Sequence, residues 1–266
     1  YADILAGAPE YVTGRQEEWK AFLATAARNY KYPYYDQLMI YLQRPEATAC
    51  AEYDFWFDTM HRYVKRGAKG IALVDNEGDS PRLRYVFDVA DTGARRNSRP
   101  VWLWQMKEEY RNPVMAALER AYGVSGENLS LEAQLEQVAG RLAADYWMNY
   151  GRQISGIVAD SFLEEYDEFN IGIAFRKAVQ ASIVYTLSVR CAEDTENQFE
   201  PEDFRDVSDF NTRQTAAALG TAVSSLSGEV FREIERAIRD YERTKAQERS
   251  QNYAERNNIQ TGRGLS

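Results

Sequence analysis

Prolines and glycines cut the stretch from Tyr30 to Val74 so closely that no long helix or strand can run through it. Pro33 pushes the residue before it out of the helical region, so a helix arriving from residue 14 has to stop near Tyr30. Pro45 bounds a second short helix, Tyr35 to Gln43. An aromatic segment follows at Phe55-Trp56-Phe57. A basic glycine turn, Lys65-Arg66-Gly67-Ala68-Lys69-Gly70, then feeds the apolar run Ile71–Val74, which is short enough to be a strand. The first half of the chain is therefore committed to short elements, and its turns are basic and aromatic rather than neutral.

Read in order, residues 14–30 are the first predicted helix. Thr13 and Gln16 stand at capping-box spacing, and Trp19, Phe22, Leu23 and Ala26 recur at helical period. Thr48–Ala51 reads as extended, and Asp54 opens a short helix through Met60. Four short runs, Arg62–Lys65, Ile71–Val74, Leu83–Val89 and Val101–Trp104, read as antiparallel strands, with the basic turn as a hairpin tip. Asn76–Pro81 is a turn and Thr92–Pro100 an arginine-rich loop. Trp19, Trp56, Trp102 and Trp104 sit in apolar runs and are expected in the core.

After Asn112-Pro113 the pattern is helical. Val114–Tyr122 stops at Gly123. Leu131, Leu135, Val138 and Leu142 make an apolar stripe. Residues 154–168 read as helix, Ile173–Arg190 is apolar enough to be buried, and Glu200-Pro201 opens an acidic linker. Asn211–Thr221 and Leu226–Tyr241 read as the closing helices, the latter with Leu226, Val230, Ile234 and Ile238 every four residues. The expected fold is α+β: a small antiparallel sheet packed with helices over residues 1–112, a helical domain over 113–244, and a polar tail over 245–266.

Charge narrows the function. The net charge of −9 argues against a generic nucleic-acid binder. Residues 1–112, however, hold equal numbers of basic and acidic side chains, so the whole excess falls on the second half. Any polyanion site is expected in the first half. Aromatic faces next to cations are what a protein needs to hold a single strand. The candidate contacts are Tyr32, Tyr34 and Tyr35 for stacking, and Arg62, Lys65, Arg66, Lys69, Arg95 and Arg96 for phosphates, with Gly67 and Gly70 letting the backbone come close. Two distant cysteines make no disulfide framework and suggest a reducing compartment. No apolar run reads as a membrane span or a signal peptide, so a cytoplasmic protein without a membrane partner is expected.

From Tyr32 to Asp75 the sequence resembles the N-terminal domain of ArdC-type antirestriction proteins. The residues that carry the likeness are the tyrosine-rich turn before Gln37-Leu38, Ala47-Thr48-Ala49, Trp56, and Val64-Lys65-Arg66-Gly67-Ala68-Lys69-Gly70-Ile71. With Gln43-Arg44-Pro45 and Thr48-Ala49-Cys50-Ala51 it is also similar to the front of very large proteins of conjugative and integrative elements, which carry helicase or DNA-methylase domains further along. The resemblance covers roughly residues 15–75. It implies single-stranded DNA as partner, together with other domains of a larger polypeptide, and a module without catalysis of its own. Antirestriction relatives also carry a zinc-protease-like domain with an HExxH helix. His61 is the only histidine here, so that motif is absent and no metal or other cofactor is expected. The alternative is a protein-interaction or regulatory module whose helical half is a degenerate, metal-free hydrolase.

Overall fold

The computed structural model describes residues 2–75, 80–126, 129–191 and 198–262, with side chains described between Gly7 and Tyr253. The expected turn at Asn76–Pro81 lies largely outside the described residues. The fold is α+β. Three helices open the chain: α1 (Ala2–Thr13), α2 (Gln16–Arg28) and α3 (Tyr34–Gln43). The reading of 14–30 as the first helix misses α1, because Gly7 and Pro9 weaken a helical pattern that burial of Ala8 and Val12 sustains. Thr13 does not cap α2. Its hydroxyl lies 3.1 Å from the Phe210 carbonyl oxygen and ties the end of α1 to the far part of the chain. Helix α2 buries Trp19, Phe22, Leu23, Ala26 and Ala27 and ends at Asn29, with Pro33 standing as the N-cap of α3.

Helix α3 is buried on nearly every side: from Tyr34 to Tyr41 only Tyr35 is exposed. Leu38 and Tyr41 face a large helical core, whereas Met39 and Ile40 face a second cluster with Ala47, Ile71, Leu73 and Val86 of the sheet. At about 1.5–3 kcal/mol for each large apolar side chain removed from water, α3 is held chiefly by these two contacts and not by its own ten residues of propensity.

Among the described residues five strands follow: β1 (Cys50–Glu52), β2 (Arg62–Val64), β3 (Ile71–Asp75), β4 (Arg82–Asp88) and β5 (Thr92–Ala94). A π-helical turn, Phe55–Thr59, separates β1 from β2. All pairing is antiparallel, in a three-stranded sheet of order β1-β4-β3 and a two-stranded ribbon of β2 and β5. The basic turn is therefore not the tip of a hairpin. Strand β3 pairs with β4 (Ile71 with Val86), while β2 pairs with β5 (Tyr63 with Gly93). Asp88 explains the split. It is buried at the end of β4, and its carboxylate accepts from the backbone N–H groups of Thr48 (2.6 Å), Ala49 (2.9 Å) and Ala90 (2.9 Å). These bonds start a 3-10 turn, Val89–Asp91, that carries the chain off the sheet and into β5. The N–H of Lys65 then donates to the Asp91 carbonyl at 2.8 Å and closes the ribbon. Gln43 covers part of the free edge of β3, because its side-chain amide bonds both the N–H (3.0 Å) and the carbonyl (2.8 Å) of Ala72.

The remainder is helical: α4 (Glu108–Tyr122), α5 (Leu131–Ser155), α6 (Glu168–Cys191), a 3-10 segment at Pro201–Asp209, and α7 (Arg213–Gly262). Val101–Trp104, expected as a strand, has no regular secondary structure and pairs with none of the described strands. Its tryptophans plug the helical core instead, with Trp104 buried and the Trp102 indole N–H donating to Glu242 at 3.1 Å. Residues 156–167 form turns, not helix. The two expected closing helices are one, and the expected tail at 245–266 continues α7 to Gly262. Asn112-Pro113 lies inside α4, and one apolar cluster runs from Ala8 to Ile238. The core of the helical half thus includes α1 to α3, and no packing boundary falls at residue 112. Among the described residues no helix is long and apolar enough to cross a membrane.

Candidate nucleic-acid interface

The ribbon presents one polar-aromatic face. Side chains two apart on a strand point the same way, so Tyr63 and Lys65 share a face while Arg62 and Val64 share the other. Across from Tyr63 stands Gly93, where a Cβ would overlap the Tyr63 ring. Glycine there lets the ring lie flat over the neighbouring strand. Arg95, just past β5, sets its guanidinium 6.0 Å from the centre of the Tyr63 ring and 4.7 Å from that of Phe57. Phe57 in turn stacks on Tyr53, with centroids 6.0 Å apart and planes within 11°. The three rings stay open to solvent: Tyr53 is 48% exposed, Phe57 40% and Tyr63 43%. The result is a continuous array of ring, ring, guanidinium and ring, positioned by the π-helical turn and the ribbon.

The basic turn leaves the other end of the ribbon. Its positive φ of 84° at Gly67, with the Ala68 N–H donating to the Lys65 carbonyl at 3.1 Å, is a tight turn that only glycine enters without strain. The Nζ of Lys65 donates to the Ala90 carbonyl at 2.9 Å, which fixes that cation along the ribbon. Arg66 and Lys69 are exposed. Gly70 lies against Tyr85, a further exposed ring on the outer side of β4.

The predicted contacts separate into two groups. Lys65, Arg66, Gly67, Lys69, Gly70, Arg95 and Arg96 lie on turns at the two ends of the ribbon. The others do not join them. Tyr34 is core, only 3% exposed and edge-on to Phe22, and its buried hydroxyl carries a pKa pushed far above the ordinary value by burial. Tyr32 is half-buried and donates its hydroxyl to the Cys50 carbonyl at 2.9 Å. Tyr35 is exposed but packs against Tyr34 on α3. Arg62 faces the other side of the ribbon, with Nε donating to Thr92 Oγ1 at 2.7 Å. The exposed rings near the ribbon are instead Tyr53, Phe57, Tyr63 and Tyr85. Sequence reasoning missed them; the alternation Tyr63-Val64-Lys65 right after the Phe55–Phe57 segment is the signal that could have found Phe57 and Tyr63.

Neighbouring charges are mostly spoken for. Arg44 pairs with Asp91, and Arg84 with Asp36 and Glu52. Burial raises the Asp36 carboxyl, with Arg84 acting against it. Burial, with Asp88 nearby, pushes the Cys50 thiol up to about 12, which leaves it unreactive. Among the described residues no cluster of three His, Cys, Asp or Glu has metal-binding placement. Compared with protein families, with curated proteins and with solved structures, the chain matches none.

Proposed function

We propose that the chain is a non-catalytic module that holds single-stranded DNA along the ribbon, as part of a larger mobile-element protein of the kind its residues 15–75 resemble. Bases stack on Tyr53, Phe57 and Tyr63, Arg95 bridges rings and phosphate, and Lys65, Arg66 and Lys69 receive the backbone. The observation that carries this reading is the exposed array of Tyr53, Phe57, Arg95 and Tyr63. Leaving a large ring in water forgoes about 1.5–3 kcal/mol of burial, and stacking a base on it returns about 1–3 kcal/mol. Rings that already lie parallel to one another, with a cation beside them, are arranged for that exchange.

The test is binding of single- and double-stranded oligonucleotides by fluorescence anisotropy across a salt series. The single strand is expected to bind more tightly, and Phe57→Ala to weaken it roughly 5- to 150-fold, the equivalent of one lost stack. Unchanged affinity in Phe57→Ala would sink the reading. A second reading, a protein-contact module, draws on Met148, Phe162 and Phe169, all largely exposed around the α5–α6 connection. It is favoured if neither oligonucleotide binds.

A further inference from the structure

The π-helical turn also borders a cleft of about 500 Å³ that runs between β1, the segment 100–104, and helices α6 and α7. Tyr30, Phe55, Trp56, Trp102 and Trp104 give it aromatic walls. Among the described residues four cations line it, Arg28, Lys31, Arg190 and Arg239, against the single carboxylate of Glu235. This is a positive pocket in a chain of net charge −9.

Most of these charges are occupied. Glu235 accepts from the Tyr30 hydroxyl and pairs with Lys31 at 3.1 Å and Arg239 at 2.8 Å. Burial alone would raise its carboxyl, but the bonds from Tyr30 and Lys31 and the nearby cations outweigh that and hold it below its ordinary pKa. Arg28 donates to the Ala47 carbonyl at 3.0 Å. Arg190 is different. Its guanidinium lies 4.1 Å from the centre of the Trp104 ring and 5.1 Å from that of Tyr30. Among the described residues its one hydrogen bond is a long one, 3.4 Å to the Ala27 carbonyl, and its buried Nε has no partner. Among the described residues no carboxylate is within ion-pair distance of it. Asn29, on the same wall and 3% exposed, spends its amide N–H groups on the Thr25 and Ala47 carbonyls and leaves Oδ1 without a partner. Glu235 acts on Arg190 only from a distance, burying a guanidinium without a carboxylate in contact is costly, and the group cannot shed its proton. A planar cation fixed between aromatic rings, with donors unspent, is built to meet an anion carried by a flat ligand.

We infer that this cleft binds a nucleoside monophosphate unit, its base against the aromatic walls and its phosphate on Arg190. The unit is either the phosphorylated end of a strand or a free nucleotide. The inference stands on the cleft and not on the ribbon face.

Trp56, Trp102 and Trp104 make intrinsic fluorescence a direct reporter. Thymidine 5′-monophosphate is expected to quench it saturably, with thymidine and inorganic phosphate each at least about tenfold weaker, as loss of a charged hydrogen-bonded contact or of the stack requires. Arg190→Met is expected to reduce monophosphate affinity to that of thymidine, while Phe57→Ala leaves it unchanged, which separates this site from the ribbon. If Arg190→Met does not fold, the gap between monophosphate and nucleoside in the parent protein decides. Tighter binding of a 5′-phosphorylated oligonucleotide than of its unphosphorylated twin assigns the strand end; equal binding assigns the free nucleotide. No quenching by the monophosphate, quenching no stronger than that by thymidine, or equal binding of a flat carboxylate such as benzoate overturns the inference.

Discussion

Tyr30, Tyr34 and Tyr41 and, a short way along the chain, Tyr53, Phe57 and Tyr63 are similar side chains, and the fold treats them in opposite ways. Tyr30, Tyr34 and Tyr41 are buried where α2, α3 and α7 meet. Tyr30 lies on Phe231, Tyr34 is edge-on to Phe22, and Gly220 of α7 makes room for the Tyr34 ring, where a Cβ would overlap it. Tyr53, Phe57 and Tyr63 stand on a π-helical turn and a two-stranded ribbon, and they remain in water. The difference is one of layers. A helix flanked by other helices is covered on several faces, whereas a two-stranded ribbon has no second layer to hide its side chains. Aromatic content alone does not mark a binding face; the number of elements packed around it does.

The comparison breaks most visibly in stability. Tyr34→Ala removes a fully enclosed ring and is expected to cost about 3–5 kcal/mol, as other large-to-small core changes do. Tyr35→Ala, one residue away but exposed, is expected to stay within about 0.5 kcal/mol of the parent. Urea denaturation of both variants measures the gap. If Tyr34→Ala were no more destabilising than Tyr35→Ala, the assignment of Tyr34 to the core would be wrong.

A smaller effect separates buried hydroxyls from the open rings. Burial, together with its bond to Glu235, pushes the Tyr30 pKa from 10.0 up to about 12. The folded chain therefore holds this proton more tightly than the unfolded chain does. The stability this provides is whole below pH 10 and is lost as pH rises through about 12. Tyr30→Phe is expected to cost about 1–2 kcal/mol at pH 7, where the bond to the carboxylate is lost, and less as pH rises. Denaturation midpoints of parent and variant should then converge between pH 10 and 12. A difference that stays constant over that range would show that the hydroxyl does not titrate in the folded chain as described.

Much of this architecture was legible in the sequence wherever period and packing agree. Leu131, Leu135, Val138 and Leu142 are all buried, as are Leu226, Val230, Ile234 and Ile238, because a four-residue repeat on a long helix has only one side to hide. Ile71–Val74 and Leu83–Val89 became neighbouring strands for the same kind of reason. What the sequence hid was long-range. Nothing local says that Asp88 will gather three N–H groups and divert the chain into β5, so the basic turn read as a hairpin tip. Nothing local says that α7 will cover the tyrosine cluster, so Tyr34 read as a stacker. Asn112-Pro113 read as a boundary because the charge balance shifts and the strand-like pattern ends there, yet Pro113 sits inside α4, where the buried residues Tyr110, Val114, Ala117 and Leu118 hold the helix together.

The finest distinction lies within the basic turn. Lys65 and Lys69 are both exposed, but Lys65 sends its Nζ to the Ala90 carbonyl at 2.9 Å, along the ribbon, while Lys69 precedes Gly70, which lies against Tyr85. Neither contributes much to folding, since exposed substitutions usually stay within about 0.5 kcal/mol. Each phosphate contact on a single strand adds about 0.7 to the log–log salt slope through counterion release. Lys69→Ala is therefore expected to lower the slope by about 0.7, close to a threefold change across a fourfold range of salt. Lys65→Ala should do the same only if the ammonium keeps a proton for phosphate while bonded to Ala90, and it has three to give. Equal decrements in the two variants, with melting curves that overlay the parent, would extend the interface from the aromatic array through the turn. A slope that changes in neither would confine the strand to the Tyr53, Phe57, Arg95 and Tyr63 end of the ribbon.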